Sequence, residues 1–158
     1  MSWATADSVL ASERYSYEPV NVLDGLPETS WVEGDRDAGI GTGLHLYLSA
    51  TADGGKVDGA YRIAAVGMIN GYAASESLYR ANNRVKEATL SWRHALSADG
   101  TGEALWNLAD TPEMQYFRFS EPVFMSELSL TIEDVYPGNR YDDTCIAEVV
   151  VIPARGKE

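Results

Sequence analysis

The segment from residue 134 to residue 145 carries the densest set of side chains that could do chemistry. It reads DVYPGNRYDDTC and runs directly into an apolar stretch from Ile146 to Ile152. A polar loop on a rigid strand commonly presents binding residues. Arg140 and Asp142 can form charge-assisted hydrogen bonds, each worth about 1.5–3 kcal/mol, and Tyr141 can pack against an apolar face. Sugars present both hydroxyl edges and apolar ring faces, so these residue types favour carbohydrate binding.

Other turn-rich stretches supply further aromatic and amide side chains. The candidate ligand-binding residues, all in predicted loops or at strand ends, are Trp31, Tyr72, Tyr79, Asn82, Asn83, Arg84, Arg140, Tyr141 and Asp142. Structural alternatives stay open for several of them. Trp31 could hold its loop to the core, the two asparagines could cap a turn, and Arg84 could form a structural ion pair with Asp134 or Asp142.

Together with the C-terminal segment 134–152, three earlier blocks of the sequence resemble a known family. These blocks are 21–25 (NVLDG), 29–34 (TSWVEG), and 69–72 (INGY) followed by Tyr79 and 82–86 (NNRVK). This set resembles the NADase-type glycan-binding domain, a bacterial discoidin-like module first named for a streptococcal toxin. The resemblance covers about residues 15 to 152 and implies a jelly-roll β-sandwich of the galactose-binding-like class. It also implies a module without hydrolase activity, because that activity belongs to a separate domain of the toxin.

The loop from Asn21 to Thr29 offers oxygen donors of the kind that calcium prefers. Asp24 supplies a carboxylate, Gly25 allows a bend, and Thr29 supplies a hydroxyl group. The resemblance implies a structural calcium ion between this loop and a glutamate in the last strand. By position, the ligands would be the side chains or carbonyl groups of Leu23, Asp24, Leu26, Thr29, Ala147 and Glu148. The alternative is that Asp24 caps a turn and Glu148 pairs with a buried arginine.

Composition narrows the possible partners. The 158-residue chain contains 24 acids against 12 Lys and Arg, a net charge of -12, which disfavours nucleic acid and anionic membranes as partners.

Hydrophobic residues make up 45% of the chain, as in a globular protein, and we expect one domain with a core from about residue 8 to 153. We expect no membrane-inserted segment, since no apolar run approaches about 20 residues, and no signal peptide in this chain. Cys145 is the single cysteine, which excludes an intrachain disulfide, and we expect it to be a buried filler rather than a reactive thiol.

Catalysis is the weakest interpretation of the sequence. His45 lies inside an alternating strand and His94 follows a Trp-Arg pair, and neither belongs to a recognisable nucleophile motif. The adjacent acids Asp142 and Asp143 do not by themselves form a glycosidase pair. The sequence therefore indicates a protein that is not an enzyme.

Strand patterns dominate the chain. Predicted strands, rich in alternating or β-branched residues, cover 44–48, 61–69, 85–92, 103–108, 114–119, 128–132 and 149–152. In the clearest of these, Leu128, Leu130 and Ile132 are predicted to face inward. Between them lie turn signals such as 24–25, 53–55, 58–59, 70–71, 99–100 and 137–138, and a single helical turn is predicted over 75–81. Many short strands with polar turns predict an all-β sandwich.

The function predicted from these observations is a non-catalytic carbohydrate-binding module with a structural calcium ion. It would tether a larger, multidomain bacterial protein, secreted or at the cell surface, to glycans or glycoconjugates. The alternative is a protein-protein interaction module on the same sandwich scaffold that does not bind sugar. Phospholipid binding is disfavoured by the charge of -12.

Overall fold

The computed structural model describes residues 3–48, 56–57, 60–94 and 100–155. The predicted turns at 53–55 and 58–59, and residue 99 of the turn at 99–100, lie outside the described residues. Within the described residues the chain forms ten strands, one short α-helix and one 3-10 helix. The strands are β1 (Trp3–Ala6), β2 (Trp31–Val32), β3 (Gly43–Tyr47), β4 (Lys56–Val57), β5 (Ala60–Asn70), β6 (Arg84–Arg93), β7 (Thr101–Asn107), β8 (Gln115–Met125), β9 (Glu127–Tyr136) and β10 (Cys145–Pro153); the helices are α1 (Glu76–Ala81) and the 3-10 helix Pro19–Leu23.

Two antiparallel sheets face each other across the core, which confirms the predicted β-sandwich. The first sheet has the strand order β1-β3-β9-β6-β7. The second has the order β2-β10-β5-β4, with β8 also paired to β5. Neither described helix is long and apolar enough to cross a membrane.

Alternation along the strands explains which side chains fill the core. In β9, Leu128, Leu130 and Ile132 are buried as predicted, and Ser129 and Thr131 between them face outward. Leu44 and Leu46 of β3 are buried in the same way opposite β9. Residues with this period of two form one face of a strand, so the sequence pattern alone fixes the inward face of the first sheet.

The predicted strands are present, but the sequence patterns underestimated the structure at its edges. Strands β1, β2 and β4 and the 3-10 helix were not predicted, because two to five residues are too few to establish a period. Strand β8 continues past Pro122 to Met125, and the ladder with β5 is irregular there, between Ile63 and Ala65. Proline lacks the N–H that a ladder needs and is tolerated at such an irregularity. Cys145 is the first residue of β10 and is fully buried, in agreement with the filler interpretation.

Candidate functional site

A cleft of about 450 Å³ opens at one end of the sandwich, where three loop segments meet. These segments are the stretch before the 3-10 helix, the loop between β5 and β6, and the loop between β9 and β10. The cleft is lined by Leu10, Ala11, Ser12, Tyr15, Tyr17, Val32, Tyr72, Leu78, Asn82, Tyr141 and Asp143. We call this site the tyrosine cleft, after its four tyrosines.

The first wall of the tyrosine cleft is held in place by β2. The N–H of Leu10 donates to the carbonyl oxygen of Val32 at 2.9 Å, and the N–H of Val32 donates to the carbonyl oxygen of Tyr17 at 3.3 Å. Gly34 allows this close approach, because a Cβ atom there would lie 2.4 Å from the carbonyl oxygen of Val9. The segment that carries Tyr15 and Tyr17 is therefore fixed by backbone contacts to the sheet.

The opposite wall is the loop between β9 and β10, which is fastened to the end of α1. The N–H of Tyr141 donates to the carbonyl oxygen of Ala81 at 2.8 Å. Gly138 is required for this contact, since a Cβ atom there would lie 2.3 Å from the same carbonyl oxygen. A side chain also fixes the loop, because the N–H of Gly138 donates to Oδ1 of Asn83 at 2.7 Å.

Buried Glu33 fixes the far end of the same loop. Its side chain is fully buried, and Oε1 accepts a hydrogen bond from the N–H of Thr144 at 3.0 Å. Oε2 accepts from the N–H of Asp35 at 2.8 Å. Burial, together with the charges of Asp35 and Asp143, raises the pKa of Glu33 to about 7, against the partial opposition of these two hydrogen bonds. Glu33 is thus a buried acid that fixes the Asp143 side of the cleft.

The aromatic rings of the cleft form a connected group. The ring of Tyr17 lies 6.2 Å from the rings of both Tyr15 and Tyr72, and it meets Tyr72 edge to face. Burial and the neighbouring Tyr17, with which its hydroxyl group shares a hydrogen bond, raise the pKa of Tyr72 to about 12. Tyr15 and Tyr141 are exposed and offer ring surface to a ligand.

Polar groups complete the cleft. Burial and the neighbouring Asp142 raise the pKa of the Asp143 carboxyl group. The side-chain amide N–H of Asn82 donates a hydrogen bond to the carbonyl oxygen of Leu78 at 2.9 Å. The cleft therefore combines ring faces with carboxylate, amide and hydroxyl groups, which is the combination that a sugar requires.

Three of the predicted ligand-binding residues, Tyr72, Asn82 and Tyr141, line the tyrosine cleft. Arg140 lies beside it, with its guanidinium carbon 5.1 Å from the centre of the Tyr141 ring. Sequence reasoning missed Tyr15 and Tyr17, which precede every recognisable strand pattern. The clustering of tyrosines in the YSY tripeptide at 15–17 is the one signal that could have pointed to them.

Tyr79 and Arg84 belong to a separate ionic cluster. Arg84 is buried and donates from Nε and Nη2 to the two carboxylate oxygens of Asp110, at 3.0 and 2.7 Å. The Tyr79 hydroxyl donates to Asp110 at 2.8 Å, and the Arg84 guanidinium lies over the Tyr79 ring. The structural ion pair considered for Arg84 therefore exists, but its partner is Asp110 and not Asp134 or Asp142. Asp134 lies 3.7 Å from the ammonium group of Lys86 instead.

The remaining predicted residues hold the scaffold together. Trp31 is fully buried, and its indole N–H donates to the carbonyl oxygen of Ser8 at 3.0 Å, which favours the core alternative. Asn83 is buried and donates to the exposed carboxylate of Asp142 at 2.9 Å. Both contacts shape the walls of the cleft from behind.

The predicted calcium ligands Asp24, Thr29 and Glu148 meet where the loop that follows the 3-10 helix passes β10. The Thr29 hydroxyl donates to Oδ2 of Asp24 at 2.5 Å, and the N–H of Leu26 donates to Oδ1 at 2.8 Å. Glu148 shares a hydrogen bond with Asp24, and no arginine pairs with it among the described residues. At Ala147 the ladder between β10 and β5 is irregular, which turns the backbone locally out of register beside Glu148.

Glu148 is a buried carboxylate with one oxygen that lacks a hydrogen-bond donor among the described residues. It is 5% exposed, and its Oε1 is a buried oxygen to which no described residue donates a hydrogen bond. Burial and the adjacent Asp24 raise the pKa of Glu148 to about 7, against the opposing effect of hydrogen bonds from the backbone N–H groups of Gly25 and Leu26. Two carboxylates, a hydroxyl and nearby carbonyl groups such as those of Leu23, Leu26 and Ala147 fit a hard cation. No group of three or more His, Cys, Asp or Glu side chains suited to a metal occurs in the described part of the chain, so hydroxyl and carbonyl oxygens would complete such a site.

Comparison with known proteins agrees with this architecture. The NAD glycohydrolase translocation F5/8 type C domain family matches residues 1–152, and no curated protein matches the chain. Similar folds include the family 32 carbohydrate-binding module of Clostridium perfringens NanJ in complex with galactose, with 14% identity, a TM-score of 0.66 and coverage of 95% of this chain and 92% of that one. The module CpGH89CBM32-5 from C. perfringens, in complex with GalNAc-beta-1,3-galactose, has 14% identity, a TM-score of 0.67 and coverage of 96% and 94%. The family 32 module of AlyQ, in complex with 4,5-unsaturated mannuronic acid, has 14% identity, a TM-score of 0.65 and coverage of 96% and 95%. The predicted galactose-binding-like fold and the family resemblance are both confirmed.

Proposed function

The chain belongs to the NAD glycohydrolase translocation F5/8 type C domain family, and from this premise we propose that it is a non-catalytic module that binds glycans in the tyrosine cleft. The observation that carries the proposal is the convergence of four tyrosines and the Asp143 carboxyl group at one end of the sandwich. Among the described residues Asp143 is the one acid that lines the cleft, so this lining does not supply the pair of carboxyl groups that glycoside hydrolysis requires.

The side chains at the cleft have different proposed roles in ligand binding. The exposed ring of Tyr141, backed by the guanidinium group of Arg140, is the stacking platform for an apolar sugar face. Asp143 and the Tyr72 hydroxyl are hydrogen-bond partners for sugar hydroxyl groups. Because backbone contacts to the sheet and to α1 fix the walls, little loop ordering opposes binding.

We further propose that a calcium ion at Asp24, Thr29 and Glu148 stabilises the module. Bound calcium would neutralise the two carboxylates and join the loop after the 3-10 helix to β10. This role is structural, because these residues lie outside the lining of the tyrosine cleft. The unpartnered buried oxygen of Glu148 supports it.

The module would act as part of a larger secreted or cell-surface protein that it tethers to glycans. A part in translocation is compatible with such tethering, because a translocated protein must first be held at its target surface. The family 32 neighbours bind galactose, GalNAc-beta-1,3-galactose and an unsaturated mannuronic acid, which supports carbohydrate as the ligand class.

A glycan array in the presence of calcium tests the proposal. The wild-type chain is compared with Tyr141→Ala and with Tyr116→Ala as a matched control, because these tyrosines are exposed to similar extents, 42% and 47%, and Tyr116 is not a cleft residue. We expect Tyr141→Ala to lose binding by at least tenfold, since exposed aromatic anchors dominate such interfaces. Tyr116→Ala should bind like the wild type.

Two outcomes would contradict the proposal. A glycan whose binding survives Tyr141→Ala is not held in the tyrosine cleft, and survival of every array signal would exclude the cleft as a glycan site. An array without signals above background, combined with recovery of one defined protein partner by affinity capture, would favour the protein-protein interaction module instead.

A further inference from the structure

The outward face of the first sheet carries two rows of polar and aromatic side chains that the tyrosine cleft does not use. Strand register places one row across all five strands, as Thr5, His45, Ser129, Ser91 and Glu103. The adjacent row, two residues along each strand, consists of Trp3, Tyr47, Glu127, Arg93 and Thr101. We call these two rows together the sheet face. Four inter-strand spacings of about 4.8 Å give it a width of about 19 Å.

A depression of about 450 Å³ lies on the sheet face over β6, β7 and β9. Its lining combines an apolar floor, which includes Trp92 and Gly102, with hydroxyl, carboxylate and guanidinium groups of the outward-facing residues Ser91, Arg93, Thr101, Glu103, Glu127 and Ser129. The small serines make the depression, because larger residues at the same positions would fill it.

An aromatic platform adjoins the depression. The rings of Trp3 and Tyr47 are stacked, with centroids 5.0 Å apart and an angle of 15° between their planes. Trp3 is 56% exposed, and Tyr47 is the register partner of Glu127, which lines the depression. An elongated ligand can therefore lie in the depression and continue onto an exposed indole.

The polar groups of the sheet face are oriented by one another. Nε2 of His45 lies 2.8 Å from Oδ1 of Asp7, which can only accept, so Nε2 donates. Nδ1 of His45 lies 2.8 Å from the Ser129 hydroxyl oxygen, so the imidazole ring links Asp7 to Ser129 and fixes the position of the hydroxyl group.

This Ser-His-Asp chain does not form a hydrolytic triad. Ser129 lies on β9, the central strand of the sheet, with β3 and β6 paired on its two sides. The backbone N–H groups around it belong to these ladders, so none is available as an oxyanion donor. The arrangement serves binding rather than nucleophilic attack.

Charge restricts the ligand class. Arg93 is paired with Glu127 at 3.3 Å, and no described residue pairs with the exposed carboxylate of Glu103. The depression therefore carries an excess of negative charge, which repels uronic and sialic acids. Hydroxyl groups, a free carboxylate and a neighbouring stacking platform fit an uncharged sugar chain.

We propose that the sheet face is a second carbohydrate site, separate from the tyrosine cleft, that takes a neutral, linear oligosaccharide. The chain would lie across the strands with one ring on Trp3 and its hydroxyl groups in the depression. The two sites are at different parts of the sandwich and share no residue.

NMR titration of the ¹⁵N-labelled full chain tests this proposal with named probes. The neutral probes are cellotetraose, tetra-N-acetylchitotetraose and lacto-N-tetraose, and the acidic comparator is tetragalacturonate. We expect at least one neutral probe to shift amide signals of the sheet face, including Ser91 and Ser129, and tetragalacturonate to leave them unchanged. If every neutral probe leaves these signals unchanged, or if only tetragalacturonate shifts them, the proposal is wrong.

Variants separate the sheet face from the tyrosine cleft. Trp3→Ala should weaken the sheet-face shifts by at least about tenfold and leave any shifts of cleft residues unchanged. Ser91→Leu is a second test in case Trp3→Ala disturbs β1. It fills the depression without changing the core and should weaken the sheet-face shifts to a similar extent. Tyr141→Ala should leave the sheet-face shifts intact, and their loss in this variant would refute a separate site. If the cleft proposal is wrong instead, Tyr141→Ala leaves the ligand-induced shifts of the cleft residues unchanged.

Discussion

The carboxyl group of Glu148 leads to a quantitative prediction about the calcium-free protein. Burial and the adjacent Asp24 raise its pKa from 4.5 to about 7. At 1.36 kcal/mol per pKa unit, this difference corresponds to about 3 kcal/mol of unfolding free energy. Because the folded protein holds this proton more tightly than the unfolded chain, the unfolding free energy decreases as the pH rises from about 4.5 to about 7. Above pH 7 the whole penalty is present.

Glu148→Gln should remove this penalty, because glutamine resembles the protonated acid and can still hydrogen-bond to Asp24. Without calcium at pH 8, we expect the variant to be more stable than the wild type by up to about 3 kcal/mol. At pH 5 the two proteins should be similar. Calcium at 100 times its dissociation constant should add about 2.7 kcal/mol to the wild type and nothing to the variant. The wild-type calcium affinity should fall about tenfold per pH unit below pH 7, since a proton competes for Glu148.

Urea denaturation with EDTA or with calcium, at pH 5 and pH 8, measures all of these quantities. Glu121→Gln is the matched control, because Glu121 is an exposed acid on β8 and its replacement should leave both stability and the calcium response unchanged. A Glu148→Gln protein that is no more stable than the wild type at pH 8 without calcium would refute the buried-charge argument. A calcium response retained in this variant would remove Glu148 from the metal site.

Two further predictions concern buried charged side chains, Arg84 in the ionic cluster and Glu33 behind the cleft. Arg84→Met should lower the unfolding free energy by about 2 kcal/mol, because Asp110 loses two charge-assisted hydrogen bonds. The glycan affinity should stay at the wild-type value. A glycan affinity that falls together with the stability would place Arg84 in the binding site. In a calcium-free Glu148→Gln background, stability should still fall by up to about 3 kcal/mol between pH 4.5 and pH 7, because Glu33 also has a raised pKa of about 7. Adding Glu33→Gln should flatten this profile in urea titrations, and an unchanged slope would show that another group titrates.

The sequence predicted the strands of the sandwich well because most of them are buried on one face. Leu128, Leu130 and Ile132 alternate with polar residues, and that period is a local property which needs no knowledge of the partner strand. The same holds for the turn at Asp24-Gly25, where Gly25 has a φ of 74°. Such features depend on only a few neighbouring residues in the sequence.

The tyrosine cleft was predicted only in part because it is assembled over long distances in the chain. Tyr141 was identifiable as a polar-loop aromatic, but nothing near Tyr15 or Tyr17 indicates that β2 will hold them opposite it. The two acids considered as alternative partners of Arg84, Asp134 and Asp142, were wrong for the same reason, since its partner Asp110 lies in a loop after β7 whose position depends on the sheet. Pairings between distant segments follow from packing, which local patterns do not encode.

The hydrogen bond between Glu33 and Thr144 affects when the protein can fold during its synthesis. These residues are 111 positions apart, and β2, which Trp31 begins, pairs with β10 at the other end of the chain. During synthesis β2 therefore cannot form its pairing until β10 has emerged from the ribosome. Contacts of such high sequence separation place folding of the domain in the range of about milliseconds to seconds. Nascent chains that stop before residue 144 would lack the cleft wall and the proposed metal site at once, so binding requires translation through β10.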